Sequence, residues 1–169
     1  TTKEEHHDRP IAPDQIISEG WMSLEDWNYC SKKALELFEF GQKKAAENGM
    51  ILVDTKYEMG KDEDENILLI DEIHTPDSSR YWIADSYEER MEKQLEPQNI
   101  DKEFLRLWFV DNCDPYNDER LPEAPEDLVL ELSSRYIYLY ETITGALFPF
   151  PNSEKSIYNR INDNLKEVL

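Results

Sequence analysis

The sequence predicts an α+β fold in which an antiparallel sheet packs against several helices. Three observations lead to this prediction: stretches with apolar residues at helical spacing, two short segments rich in β-branched and aliphatic residues, and a polar turn between those segments. The chain has 169 residues, which suits one domain with a hydrophobic core of its own. We therefore expect residues 1–169 to form a single domain.

The first predicted element is a long helix. Residues 1–20 contain two prolines and no sustained periodicity, so we expect an extended segment there. Ser23 followed by Asp26 resembles a capping box, and apolar residues then recur at helical spacing. Asn48 and Gly49 mark the predicted end of this helix.

A β-hairpin is expected after this helix. Residues 50–58 and 67–72 have the composition of strands, and a polar stretch separates them. If the tip lies between Asp64 and Glu65, Glu58 directly faces Asp71. Strand alternation would also place Asp54, Lys56 and Glu58 on one face together with Leu52.

The rest of the chain is predicted to be helical, apart from its loops. Residues 74–80 and 111–125 are interpreted as loops because of their proline, serine, asparagine and aspartate content. Helices are expected over residues 85–95, from Asp101 through Trp108, from Pro125 to Gly145, and in a tail within 147–169 that is capped by Ser153.

Composition excludes several classes of function. The chain has 18 Lys and Arg residues against 38 Asp and Glu residues, for a net charge of −20, so it lacks the clustered cations that nucleic acid binding needs. No apolar run is long enough to span a bilayer. Cys30 and Cys113 have no metal-like spacing, which favours reduced thiols. We expect a cytoplasmic protein that binds neither nucleic acid nor membrane.

The predicted hairpin carries the most informative charges. Like charges at Glu58 and Asp71 would destabilise the strand pair unless a cation lies between them. Two carboxylates with open remaining positions are typical of Mg²⁺ that also carries substrate phosphates. Lys56 favours this interpretation, because an ammonium group can contact phosphate oxygens. A carboxylate pair that shares a proton and a simply solvated sheet face remain alternatives.

The loop after the hairpin has the composition of an anion-binding turn. Residues 75–80 (TPDSSR) combine a rigid proline, two hydroxyl groups and one guanidinium group. Hydroxyl and guanidinium donors can hold an anionic group. An ordinary surface turn is the alternative, although the position directly after Asp71 favours a functional role.

Two segments resemble the signature segments of the SAICAR synthetase (phosphoribosylaminoimidazole-succinocarboxamide synthase) family. They are residues 52–60 (LVDTKYEMG) and residues 70–82 (IDEIHTPDSSRYW). Shorter likenesses occur near the N-terminus, in residues 101–106 and in residues 140–145, so the resemblance extends from residue 1 to about residue 146. The motifs offer no match for residues 111–123 or for the tail 147–169.

The resemblance implies an ATP-dependent, amide-forming ligase of purine biosynthesis. Such an enzyme joins L-aspartate to the carboxylate of carboxyaminoimidazole ribotide and uses ATP and Mg²⁺. The implied site residues fall into four sets: Lys56 and Asp54 in catalysis, Lys56 and Glu58 at ATP, Glu58 and Asp71 at the metal, and Asp8, Asp77, Ser79 and Arg80 at the substrates. His74 lies at a variable position of the second motif and is interpreted as structural.

The resemblance also implies that a partner segment is missing. Family members carry an N-terminal lobe with a glycine-rich, nucleotide-covering sheet before the segment that resembles this chain. Here only five glycines occur, and none forms a phosphate-binding loop. We therefore expect the C-terminal portion of such an enzyme, with the missing lobe as partner. The alternatives are another kinase-like Mg-ATP enzyme with a different acceptor, and a non-catalytic acidic half that binds its partner segment.

Overall fold

The computed structural model describes residues 9–100, 102–114, 117–151 and 153–166. Helices and antiparallel strand pairs alternate with loops, which confirms the predicted α+β class. The elements are α1 (Pro13–Ser18), α2 (Leu24–Glu47), β1 (Met50–Thr55), β2 (Met59–Lys61), β3 (Ile67–Leu69), β4 (Ser79–Ile83), α3 (Ala84–Glu92), α4 (Glu103–Asn112), α5 (Glu126–Thr144) and α6 (Ile157–Leu165).

The N-terminal helices agree only partly with the prediction. The α2 helix begins as expected, because the Ser23 hydroxyl accepts a hydrogen bond of 3.0 Å from the Asp26 backbone N–H. It ends at Glu47, and Gly49 follows with a φ of +71°. The expectation of an extended segment over residues 1–20 is wrong for 13–18, where Pro13 occupies the first turn of α1. Proline is compatible with that position because its fixed φ suits a helix start and no N–H is needed there.

The strand pairing differs from the predicted hairpin. β1 pairs with β4 and β2 pairs with β3, both antiparallel. The prediction of one strand over 50–58 is therefore wrong: residues 56–58 lie outside the strands and connect two separate strand pairs. The predicted loop 74–80 is also too long, since β4 begins at Ser79. Ser79 and Arg80 belong to a strand because they pair with Thr55 and Asp54 of β1. This long-range pairing cannot be recognised from the local sequence pattern.

The core lies where α2 and α5 pack against the β1–β4 pair. Its buried apolar residues are Ala45, Met50, Leu52, Tyr81, Ile100 and Leu139. Helix α2 approaches the sheet closely at Gly41, where an added Cβ would lie 2.7 Å from Leu52 Cδ2. This core fixes β1 and β4. Strand β1 overlaps the start of the first motif segment, and β4 overlaps the end of the second.

The later helices follow the prediction with shifted ends. The α5 helix ends at Gly145, whose φ of +68° is the left-handed cap conformation. The cap of α6 is Ser156, whose hydroxyl accepts from the Asn159 N–H at 3.2 Å, so the prediction of Ser153 is wrong. Asp101, the expected cap of α4, lies outside the described residues. Within the described ranges, no helix has the length and apolar character needed to cross a membrane.

Candidate active site

A β-bulge in β1 determines where Asp54 points. Leu52 pairs with Tyr81 and Asp54 pairs with Arg80, so Val53 is an extra residue in the ladder. Directly paired residues share a face of the sheet. Asp54 therefore lies on the face opposite to the buried Leu52, and the prediction that the two share a face is wrong. The bulge reverses the simple alternation on which that prediction depended.

Asp54 and Arg80 form a two-pronged ion pair on this outer face. Arg80 Nε donates to both carboxylate oxygens, at 2.9 and 3.0 Å, and Nη2 also contacts Oδ2. The side chains are about half exposed, at 46% for Asp54 and 55% for Arg80. The hydrogen bonds from Arg80 hold the pKa of Asp54 below its usual range. The pair therefore presents a fixed guanidinium group at an accessible surface.

Ser79 lies on the inner face, among hydroxyl groups. It is 4% exposed, and its Oγ lies 2.8 Å from Thr55 Oγ1 and 3.2 Å from Ser78 Oγ. The Ser79 N–H donates to the Thr75 carbonyl at 3.0 Å. Ser79 directly precedes Arg80 in the chain, but its hydroxyl group lies on the other face of the sheet and contacts Thr55 of strand β1. Its contact with the rest of the loop holds the 75–80 turn against β1.

Asp77 is the member of the loop that contacts a helix start. Its Oδ1 lies 2.5 Å from Lys102 Nζ, just before α4. Both side chains are about half exposed. Sequence reasoning did not select Lys102, because nothing local links two residues so far apart in the chain. Asp8, the remaining predicted substrate ligand, lies outside the described residues.

The β2–β3 hairpin has a register one residue away from the predicted one. Met59 pairs with Leu69, and the Ile70 N–H donates to the Glu58 carbonyl at 3.1 Å. Glu58 therefore faces Ile70, and the predicted direct pairing with Asp71 is wrong. The cause is the turn: the Asp62 carboxylate accepts from the backbone N–H groups of Asp64 and Asn66, which centres the turn on Asp64.

Glu58 and Asp71 nevertheless meet at a common cation. Lys56 Nζ lies 2.7 Å from Glu58 Oε1 and 3.3 Å from Asp71 Oδ2. The hydrogen bonds that Lys56 donates to Glu58, and then to Asp71, raise the pKa of Lys56. We call these three residues the lysine–carboxylate cluster. The expectation that something cationic lies between the carboxylates is met here by the lysine side chain.

The donor set of this cluster fits a hard divalent cation. Among the described residues, no group of three or more His, Cys, Asp or Glu side chains could hold a metal ion. Two carboxylates that both reach one cationic group suit Mg²⁺ when the other positions are filled by water or phosphate oxygens. The Glu58 and Asp71 side chains are 33% and 38% exposed, so such ligands have access.

An apolar groove adjoins the cluster. Its volume is about 770 Å³, within the usual range of ligand pockets. It is bounded by α2, the hairpin and the segment before α2, with Glu58, Met59 and Ile70 along one wall and Trp21 and Trp27 along the other. The cluster thus lies at the edge of a space large enough for an organic ligand.

Comparison with protein families and curated proteins gives concordant results. The model of the SAICAR synthetase family matches residues 1–122. A phosphoribosylaminoimidazole-succinocarboxamide synthase of Legionella pneumophila (strain Paris) is 56% identical over 169 residues, which is all of this chain and 54% of the relative. The chloroplastic synthase of Arabidopsis thaliana is 58% identical over the same length, 41% of that relative. Residues 111–123 and 147–169 therefore have counterparts in these relatives.

Solved structures show the same relationship. A SAICAR synthase from Saccharomyces cerevisiae, complexed with SAICAR, matches 85% of this chain and 46% of its own with a TM-score of 0.66 at 32% identity. A SAICAR synthetase in complex with ADP matches 86% of this chain and 49% of its own, with a TM-score of 0.60 at 30% identity. The chain spans about half the length of the relatives it matches. On the family match and these identities, the chain belongs to the SAICAR synthetase family.

Proposed function

We propose that this chain supplies substrate- and metal-binding residues of an ATP-dependent ligase that joins L-aspartate to the carboxylate of carboxyaminoimidazole ribotide. The observation that carries the proposal is that two sets of paired charges, the lysine–carboxylate cluster and the Asp54–Arg80 pair, form within residues 54–80 of a chain of this family. The names of the relatives and the SAICAR and ADP complexes of two solved neighbours support it.

In this proposal the lysine–carboxylate cluster contacts the nucleotide phosphates. Glu58 and Asp71 would hold Mg²⁺, which supplies neutralisation of the phosphate charge when bound. Lys56 already contacts both carboxylates, and it lies midway between Asp54 and Glu58 in the sequence. When the phosphates are present, its ammonium group can donate to them in place of one carboxylate.

The Asp54–Arg80 pair is assigned to the ribotide. Asp54 holds the guanidinium group in place through Nε, and the Arg80 side chain is 55% exposed, so an anionic substrate group has access to it. The Ser79 hydroxyl keeps the 75–80 turn attached to β1, and Asp77 accepts from Lys102. We assign Ser79 and Asp77 to shaping this side of the site, together with the substrate-binding role expected from the sequence.

The proposed reaction needs charge neutralisation above all. ATP phosphorylates the ribotide carboxylate, and the amine of aspartate then attacks that carbon and releases phosphate. Three anionic partners must meet, so cationic side chains at fixed positions lower the cost of bringing them together. Lys56 and Arg80 can provide this positive charge within a chain whose net charge is −20. Asp54 acts by orienting Arg80.

The partner in this proposal is an N-terminal lobe of the same enzyme. The support is the share of the relatives' length, about half, that this chain matches. A glycine-rich sheet in that lobe would cover the nucleotide from the other side. The cytoplasmic location expected from the sequence stays a prediction; one plant relative is named as chloroplastic.

Activity of the full-length protein tests the proposal. The protein is incubated with Mg-ATP, the ribotide and L-aspartate, and formation of the succinocarboxamide product is followed together with ADP release. We expect product formation that needs all three substrates and divalent metal. ADP release with another acceptor and no product would favour a different kinase-like enzyme.

A second arm separates catalysis from simple binding. Calorimetry with Mg-ATP is carried out on the 169-residue chain, on the full-length protein and on the chain mixed with a separately produced N-terminal lobe. We expect nucleotide binding by the full-length protein and its recovery on mixing. If the full-length protein binds the nucleotide but forms no product with any acceptor, the non-catalytic interpretation is correct.

A further inference from the structure

One side-chain contact joins the two charged groups of the site. His74 immediately precedes the 75–80 turn, and its Nε2 lies 2.7 Å from the Tyr57 hydroxyl oxygen. The two rings meet edge to face, with centroids 5.7 Å apart. Tyr57 stands between Lys56 and Glu58 in the chain, and those two side chains contact each other. The contact therefore links the turn that leads to Arg80 with the segment that carries the lysine–carboxylate cluster.

His74 is itself held from two further sides. Its backbone carbonyl accepts a 2.7 Å hydrogen bond from the hydroxyl of Tyr81, which is 1% exposed. Its ring lies against α2 at Gly41, where an added Cβ would be 2.5 Å from His74 Cε1. Only glycine leaves room for the ring at that position. The histidine is thus fixed by the same strand and helix that form the core.

The backbone at His74 is in an uncommon conformation. Its φ of +57° falls in the left-handed region, which non-glycine residues seldom adopt, although histidine adopts it more often than most. Such residues persist where surrounding contacts determine them, and they concentrate near functional sites. Here the contacts to Tyr81, Gly41 and Tyr57 account for it.

The segment that Tyr57 anchors lies outside the named strands. Residues 56–58 lie between β1 and β2 and belong to neither strand, so side-chain contacts contribute much to their position. We propose that His74 is a positioning residue for the ligase reaction: through Tyr57 it sets the position of Lys56 and Glu58 relative to Asp71 and the 75–80 turn. This inference rests on the proposed function. His74 acts through Tyr57 and contacts no substrate.

A double-mutant cycle on the full-length protein tests this inference. The variants are Tyr57→Phe, which removes one oxygen atom, His74→Phe, which keeps a ring, and the combination of both. For each we measure the dissociation constant of Mn²⁺ by calorimetry and kcat and KM for the ligase reaction. Partners that orient metal ligands typically change metal affinity or activity 10- to 100-fold, so each single variant should weaken Mn²⁺ binding and lower kcat by about tenfold.

The cycle has a signature that a purely structural role would not produce. Both single variants break the same contact, so their effects should not add. The double variant should bind Mn²⁺ no more weakly, and have a kcat no lower, than the more impaired of the two single variants. Tyr87→Phe is the matched control, since it removes a hydroxyl group from a tyrosine on α3 that stacks on Trp82. Tyr87→Phe should leave the dissociation constant of Mn²⁺ and kcat at the wild-type values.

Two results would overturn the inference. One is a lower melting temperature for Tyr57→Phe with Mn²⁺ affinity and kcat unchanged at 25 °C, and the other is full additivity of the two single effects. If His74→Phe does not fold, the Mn²⁺ affinity and kcat of Tyr57→Phe alone still test the inference. A wild-type protein without ligase activity would contradict the proposed function instead, and the Mn²⁺ measurements would still test the positioning role.

Discussion

The two strand pairs of this protein contribute to the site in different ways. The β1–β4 pair packs on α2 through Met50, Leu52 and Tyr81, all buried to 2% exposure or less, and presents Asp54 and Arg80 on its outer face. The β2–β3 hairpin exposes Leu68, at 49%, and is followed by Ile70, at 63%; Glu58 and Asp71 lie at its base.

The charged residues of the two strand pairs are therefore held in place by different kinds of contact. The ion pair of Asp54 and Arg80 is fixed by a strand ladder that the core supports. Glu58 and Asp71 both contact Lys56, and the contact of Tyr57 with His74 anchors the segment that carries Lys56 and Glu58. We therefore expect the Asp54–Arg80 pair, proposed to bind the ribotide, to depend on core stability, and the lysine–carboxylate cluster, proposed to bind the metal, to depend on a few side-chain contacts.

The largest expected difference between the two pairs is in their contribution to stability. Leu52→Ala removes a fully buried side chain and should lower the free energy of unfolding by about 2–5 kcal/mol. Leu68→Ala, on the exposed hairpin, should cost about 1 kcal/mol or less. Urea unfolding of both variants checks this. Equal losses would show that the hairpin is as much part of the core as β1.

A smaller effect is expected at Arg80 and should be confined to one substrate. Arg80→Lys keeps the charge but loses the planar fork that Asp54 orients, so the KM of the ribotide should rise by about tenfold or more. The KM of Mg-ATP should stay at the wild-type value. Steady-state kinetics of the full-length enzyme measure both constants, and Arg106→Lys on α4 is a matched control. An unaltered ribotide KM would remove Arg80 from the site.

The smallest expected effect is a change in the pH dependence of stability. Arg80 holds the pKa of Asp54 below its usual value near 3.8, so the pair stabilises the folded protein above that pH. The contribution is lost as pH falls through the lowered pKa, and because both side chains are half exposed it amounts to about 1 kcal/mol or less.

Thermal melts between pH 7 and pH 2.5 check this expectation. Wild type should lose stability below about pH 4 more steeply than Asp54→Asn, because the variant lacks the depressed carboxyl group. Asp64→Asn, at the exposed hairpin tip, should follow the wild type. Parallel curves for Asp54→Asn and wild type would show that the ion pair contributes nothing to folding.

Local signals in the sequence were sufficient for helices α2 to α6, apart from their exact ends, but not for the short helix α1. The Ser23 cap, the Gly145 end and the carboxylate pair can all be recognised from neighbouring residues. Long-range pairing cannot: the partner of β1 is β4, and the bulge at Val53 moves Asp54 to the other face. The contact of Tyr57 with His74 joins residues 17 positions apart and likewise had no local signal beyond the motif itself.

The hairpin register shows how two side chains can contact a common residue although the predicted direct pairing between them is wrong. The turn is centred on Asp64 and not between Asp64 and Glu65 as expected, so Glu58 faces Ile70. Side chains as long as glutamate and lysine still reach across, and Lys56 contacts both carboxylates and offsets part of their negative charge. Strong repulsion in the absence of metal is therefore no longer expected. Removing one carboxylate should affect metal binding far more than stability without metal.

The most direct test of the central claim is Mn²⁺ binding to wild type, Glu58→Gln and Asp71→Asn in the full-length protein, measured by calorimetry at fixed pH and salt. Glu65→Gln is the matched control, with the same chemical change on the same hairpin at a side chain that contacts Lys61. If Glu58 and Asp71 share a cation, both variants should bind Mn²⁺ at least about tenfold more weakly, while the control binds like wild type. Equal affinities in all four proteins would contradict the account.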